Sequence, residues 1–105
     1  MMIHVTAILT AKPGRVADLR AVFDYIVPLV NTEPGCIAYA MHVDAPTIDN
    51  MNNRRMAGED AIVLVEQWES PEALSAHGLH AHTAELRKRL SGIVESSNVY
   101  VLSPL

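Results

Sequence analysis

Apolar positions along the chain follow two rhythms, one of period two and one near 3.6, and the switches between them mark out its elements. Residues 2–11, MIHVTAILTA, are β-branched and apolar with partial alternation, which predicts a strand. Lys12, Pro13 and Gly14 punctuate it. Val16, Leu19, Phe23, Ile26, Val27 and Val30 then recur at helical spacing, predicting a helix over about 15–31 that Pro28 should kink or end early. Asn31, Glu33, Pro34 and Gly35 read as a loop. Residues 36–43, CIAYAMHV, alternate larger with smaller or polar side chains, predicting a second strand with two distinct faces. Residues 44–60 are polar and aperiodic, and long for a hairpin loop. AIVLVEQWE at 61–69 is a third strand. Ser70 as N-cap and Pro71 at the first helical position start a second helix, with Leu74, Leu79, Thr83, Leu86 and Leu90 as its buried stripe. Gly78 is placed to break it in two, and Gly92 suits its C-terminus. NVYVLS at 98–103 is the last strand.

The order β-α-β-β-α-β is the α+β, ferredoxin-like plan, with a four-stranded antiparallel sheet carrying both helices on one face. Both faces of the strands are largely apolar: Ile3, Val5, Ala7 and Leu9 alternate with Met2, Thr6 and Ile8, and Val63 and Val65 with Ile62 and Leu64. A single domain over residues 1–105 cannot cover the second face itself, but a second copy stacked sheet on sheet can. The expectation is a homodimer closing around a shared interior, where a small ligand could sit.

Composition narrows the class. Half of the 105 residues are apolar and 19% charged, with a net charge of −4, as in ordinary globular chains. No stretch is apolar for long enough to span a membrane, and the first residues lack a signal peptide's positive segment. With a lone cysteine, Cys36, these features point to a cytoplasmic protein. Basic residues are scattered, and the one cluster, Arg87, Lys88 and Arg89, falls where a helix C-terminus favours cations. Without a basic face carrying aromatics, a nucleic-acid partner is not expected.

The candidate chemistry gathers in VEQWESPEALSAHGLHAH, residues 65–82, which holds the only Trp (Trp68), Glu66 on the same strand face, and His77, His80 and His82 of the five histidines. Trp68 can stack a flat substrate or simply fill the core. Glu66 on an apolar strand is either paired or a carboxyl of raised pKa that serves as a base. His77 beside the Leu74 stripe can act as a base or bond a backbone carbonyl. His82 and His42 are weaker candidates for substrate binding, and His80 reads as surface. A metal is not expected: no HExxH or Cys-pair motif is present, and the three helix histidines converge only if the helix breaks at Gly78. Nor is there a flavin, nicotinamide or phosphate-loop fingerprint, so no cofactor is expected.

The stretches IHVTAILTAKPG, EPGCIAYAMHVD and VLVEQWESPEALSAH, with His82 just beyond, resemble the antibiotic biosynthesis monooxygenase family, whose members are dimeric α+β barrels. The resemblance implies oxidation of a small phenol or hydroquinone by molecular oxygen without metal or flavin, although relatives degrade haem, isomerise a phosphorylated signalling molecule or lack known activity. The polyketide oxidases of the family pair the strand Trp with an Asn four residues earlier, where this chain has Leu64. Their Tyr and Arg also lack a clear match, although Arg87 or Lys88 lies near the Arg position. The haem-degrading branch places a Trp near His77 and a His near Arg87, and both are missing. The loop at 44–60 is also longer than the family's usual hairpin. The leading expectation is a homodimeric, cofactor-independent monooxygenase of quinol type with His77, Glu66 and Trp68 as its catalytic set. Two alternatives stay open: an isomerase or lyase using Glu66 and His77 as an acid–base pair, and a dimer that binds without catalysis.

Overall fold

A computed structural model describes all of residues 1–105. The elements run β1 (Ile3–Ala11), α1 (Val16–Val30), β2 (Cys36–His42), β3 (Ala61–Trp68), α2 (Pro71–Leu79), α3 (Ala81–Leu90) and β4 (Val94–Leu102). The sheet is antiparallel in the order β2-β3-β1-β4, the α+β ferredoxin-like arrangement, with the second helix divided into two. No helix is long and apolar enough to cross a membrane.

Alternation along β1 decides which face the helices cover. Ile3, Val5, Ala7, Leu9 and Ala11 are buried, and the residues between them are only partly so. Their partners on β3 include Leu64 opposite Ala7, Glu66 opposite Val5 and Trp68 opposite Ile3, all on the same side. Leu19, Phe23, Ile26 and Val30 of α1 close over that side, making one core with Tyr39, Ile62, Leu64 and Trp68. Pro28 neither ends nor interrupts α1, which continues to Val30.

Three expectations are corrected. The last strand begins at Val94, not 98, because the polar run Glu95 to Asn98 still pairs with β1 from Ser96 onward at an exposed edge. Leu79 is not in a buried stripe: at the frayed end of α2 it is 89% exposed. The helix break falls at His80 instead of Gly78, which stays inside α2. His80 takes an extended backbone (φ −69°, ψ 151°), and its Nδ1 accepts the His82 backbone N–H at 3.0 Å, capping α3.

The long connection from β2 to β3 folds back against the sheet face away from the helices. Asp44 pins it, its carboxylate accepting the backbone N–H groups of Ala57 (2.8 Å) and Gly58 (2.9 Å). Between loop and sheet lies a cavity of about 590 Å³ reaching Arg55, Met56, Val63 and Tyr100. The loop therefore does not lie over Trp68 and Glu66, which face the helices.

Candidate active site

Trp68 and Glu66 sit two residues apart on β3, pointing into the helix-covered core. The sequence leaves open which sheet face lines a ligand cavity. The register places both side chains under α1 and α2 within one chain. Trp68 is fully buried, and its indole N–H donates to Glu66 Oε1 at 3.0 Å. Burial raises the Glu66 pKa, while the Trp68 hydrogen bond and the nearby His77 hold it down.

His77 comes from the last turn of α2. Its ring lies against Trp68 with centroids 4.6 Å apart at 33°, and 5.8 Å from the Tyr39 ring. Thr83 fixes the backbone there, its hydroxyl donating to the His77 carbonyl at 2.6 Å. The residue that organises the cluster is Glu33, in the loop before β2. Its Oε1 lies 2.8 Å from His77 Nδ1, and its Oε2 lies 2.9 Å from His82 Nδ1 and 3.9 Å from His80 Nδ1. A carboxylate can only accept, so both bonded Nδ1 atoms carry protons, and in the neutral imidazole the Nε2 of His77 is the atom with the lone pair. Gly35 lets the loop come this close. Its φ is +81°, and a Cβ there would stand 2.5 Å from the Ala73 side chain of α2.

Of the residues singled out in the sequence, the structure brings together Glu66, Trp68, His77 and His82, with His80 at the edge. His42 is not among them. It pairs with Val63 on the opposite sheet face and is exposed. Cys36, nearby at the start of β2, has its thiol pKa raised by burial and by Glu33 and Glu66, so the thiol form dominates and a nucleophile is not indicated. Tyr39 is likewise held protonated by burial and the same two carboxylates.

Glu33 and Tyr39 were missed as site residues from sequence. Glu33 sits 44 and 49 positions from its imidazole partners, a separation no local pattern reports. The available signal was its place at the head of the Glu-Pro-Gly-Cys motif. The molecule's two cavities lie elsewhere, one under the 44–60 loop and one of about 330 Å³ between α1 and β2, and the ring of Trp68 is packed shut.

Comparison with known proteins agrees with this architecture. Residues 2–89 match the family described as antibiotic biosynthesis monooxygenase. The chain is 36% identical over 106 residues to the Escherichia coli protein named "Probable quinol monooxygenase YgiN", with 98% of each chain covered. Among solved structures, Rv0793 from Mycobacterium tuberculosis superposes with a TM-score of 0.82 at 24% identity, covering 100% of this chain and 96% of that one. PA3566 from Pseudomonas aeruginosa does so at 0.80 and 22%, covering 99% and 94%. With this fold and a match across nearly its whole length, the chain belongs to the antibiotic biosynthesis monooxygenase family.

Proposed function

We propose that the protein is a cofactor-independent monooxygenase acting on a small phenol or hydroquinone with molecular oxygen. The observation that carries this reading is the Glu33–His77 pair set against Trp68. The family membership and the relative named as a quinol monooxygenase support the reaction class. Glu33 holds the proton on His77 Nδ1, leaving Nε2 to take the phenolic proton. The phenolate then gives one electron to oxygen. The resulting radical and superoxide combine to form a carbon–oxygen bond, and loss of water from that hydroperoxide leaves the quinone. For a hydroquinone the balance is substrate plus O₂ giving hydroxyquinone plus H₂O. Glu66, tied to the Trp68 indole, positions the ring beside His77. Trp68 itself is enclosed, while the His77 side chain is 12% exposed.

A second copy completes the assembly. β4 leaves Val99 and Val101 exposed on its helix side and Tyr100 and Leu102 on the other, and Val65 at the middle of β3 is also open. Such apolar area is the kind a homodimer covers.

The closed packing around Trp68 favours a second reading, a dimer that binds without catalysis. Oxygen uptake by chelator-treated protein with a panel of hydroquinones and phenols separates the two. The monooxygenase reading expects uptake that falls by about 10²- to 10⁴-fold in His77→Ala, the usual contribution of a general base. No uptake with any substrate selects the binding dimer.

A further inference from the structure

The helix break at His80 does more than end α2. On a continuous helix His82 would point away from the face that His77 and His80 share. The extended residue at His80 turns them instead onto one buried carboxylate, Glu33, whose side chain is only 3% exposed. No Lys or Arg pairs with Glu33, and its ionic partners are imidazoles alone. Glu33, His80 and His82 each bring a donor atom within 4.8 Å of the others.

From this cluster we infer a binding site for a divalent first-row transition ion of the zinc type, held by Glu33 Oε2, His80 Nδ1 and His82 Nδ1. Two imidazoles and one carboxylate suit zinc, cobalt, nickel or copper better than magnesium or calcium, which take oxygen ligands. Spacing agrees. Bonds of about 2.1 Å to a tetrahedral ion put ligand atoms about 3.4 Å apart. The two measured separations from Oε2, 2.9 Å to His82 and 3.9 Å to His80, bracket that value. His80 is already in the ligating tautomer, because its Nδ1 accepts a backbone N–H and so carries no proton. Coordination replaces that single hydrogen bond at a helix end. His82 moves its proton from Nδ1 to Nε2 as Nδ1 takes the ion. His77 then serves as the outer partner that orients the ligating carboxylate, its Nδ1–H donating to Oε1 at 2.8 Å. The histidine side chains are 37% and 21% exposed, so an ion arrives from solvent and keeps water at its remaining positions. This site goes beyond the proposed oxidation, which needs no metal, although the two share Glu33.

The test reads binding and not turnover. Chelator-treated protein is titrated with Zn²⁺ by calorimetry and with Co²⁺ by visible absorption. The expected result is one ion per chain, with d–d bands of a low-coordinate cobalt site. Affinity should fall at least about tenfold in His80→Asn and in His82→Asn. Asparagine at position 80 keeps an oxygen to cap α3, and circular dichroism checks that both variants fold. His4→Asn, on the far sheet face, should leave the titration unchanged. No uptake of either ion by folded wild-type protein overturns the site. So does uptake that is unaltered in both variants or lost with His4.

Discussion

At the scale of single residues, Glu33 and Gly35 act together. Gly35→Ala would put a methyl where Ala73 already stands and force a β-carbon onto a φ of +81°. It should destabilise the fold by roughly 1–3 kcal/mol, read as a lower urea midpoint, because overpacking and left-handed strain each lie in that range. Oxygen uptake, where a substrate supports it, should fall as well, since the loop carries Glu33 away from His77. Glu33→Gln tests the same link without added bulk: the amide cannot accept from both imidazoles as a carboxylate does, and uptake should drop about 10²-fold or more with folding intact. Glu66 gives a pH signature. Its carboxyl is raised above the ordinary 4.5, so between the unfolded and folded values the folded chain holds a proton that the unfolded chain has released. Stability from this group is present at and below pH 4.5 and is lost as pH rises through the folded-state value. Urea midpoints across pH 4 to 7, wild type against Glu66→Gln, should differ in slope with that sign. A wild-type slope as flat as the variant's would rule it out.

At the scale of elements, the 44–60 loop and the α2–α3 junction show opposite uses of irregular chain. The loop is held by one partly buried carboxylate, Asp44, whose pKa the Gly58 and Ala57 N–H groups push down. A lowered carboxyl contributes stability above its unfolded value, and this is lost as pH falls through the folded one. Hydrogen exchange at Ala57 and Gly58 should therefore quicken relative to the β1 amides as the solution is acidified. Asp44→Asn should show the fast behaviour already at neutral pH. Uptake should be little changed by that variant, because the loop lies on the sheet face away from His77. The α2–α3 junction has no such looseness: its break is fixed by His80 capping α3 and by Thr83 on the His77 carbonyl.

At the scale of the whole molecule, one chain leaves β4 uncovered on both faces, with Val65 on β3, across β1 from it, 40% exposed. Sedimentation should therefore report a dimer. Val65→Arg should shift it toward the single chain, since a charge at a buried apolar contact is costly without a partner. A wild-type chain that sediments as a monomer at high concentration would remove the homodimer from the proposed function.

Period and punctuation in the sequence determined most of the elements: β1, β2, β3, α1 and the Ser70–Pro71 helix start all stand within a residue or two of where alternation and capping put them. They also determined that Glu66 and Trp68 share a face, because strand parity is local. They were less able to locate β4, whose start is held by pairing with β1 and not by its own polar residues. Tertiary structure alone decided which face that was, since Glu66 and Trp68 lie under helices only through pairing with Val5 and Ile3 over 60 residues away. It decided also that Glu33 joins the cluster around His77 and that His42 lies on the opposite sheet face. A loop carboxylate acquires meaning from the imidazoles that folding brings to it, and spacing along the chain carries no trace of that meeting.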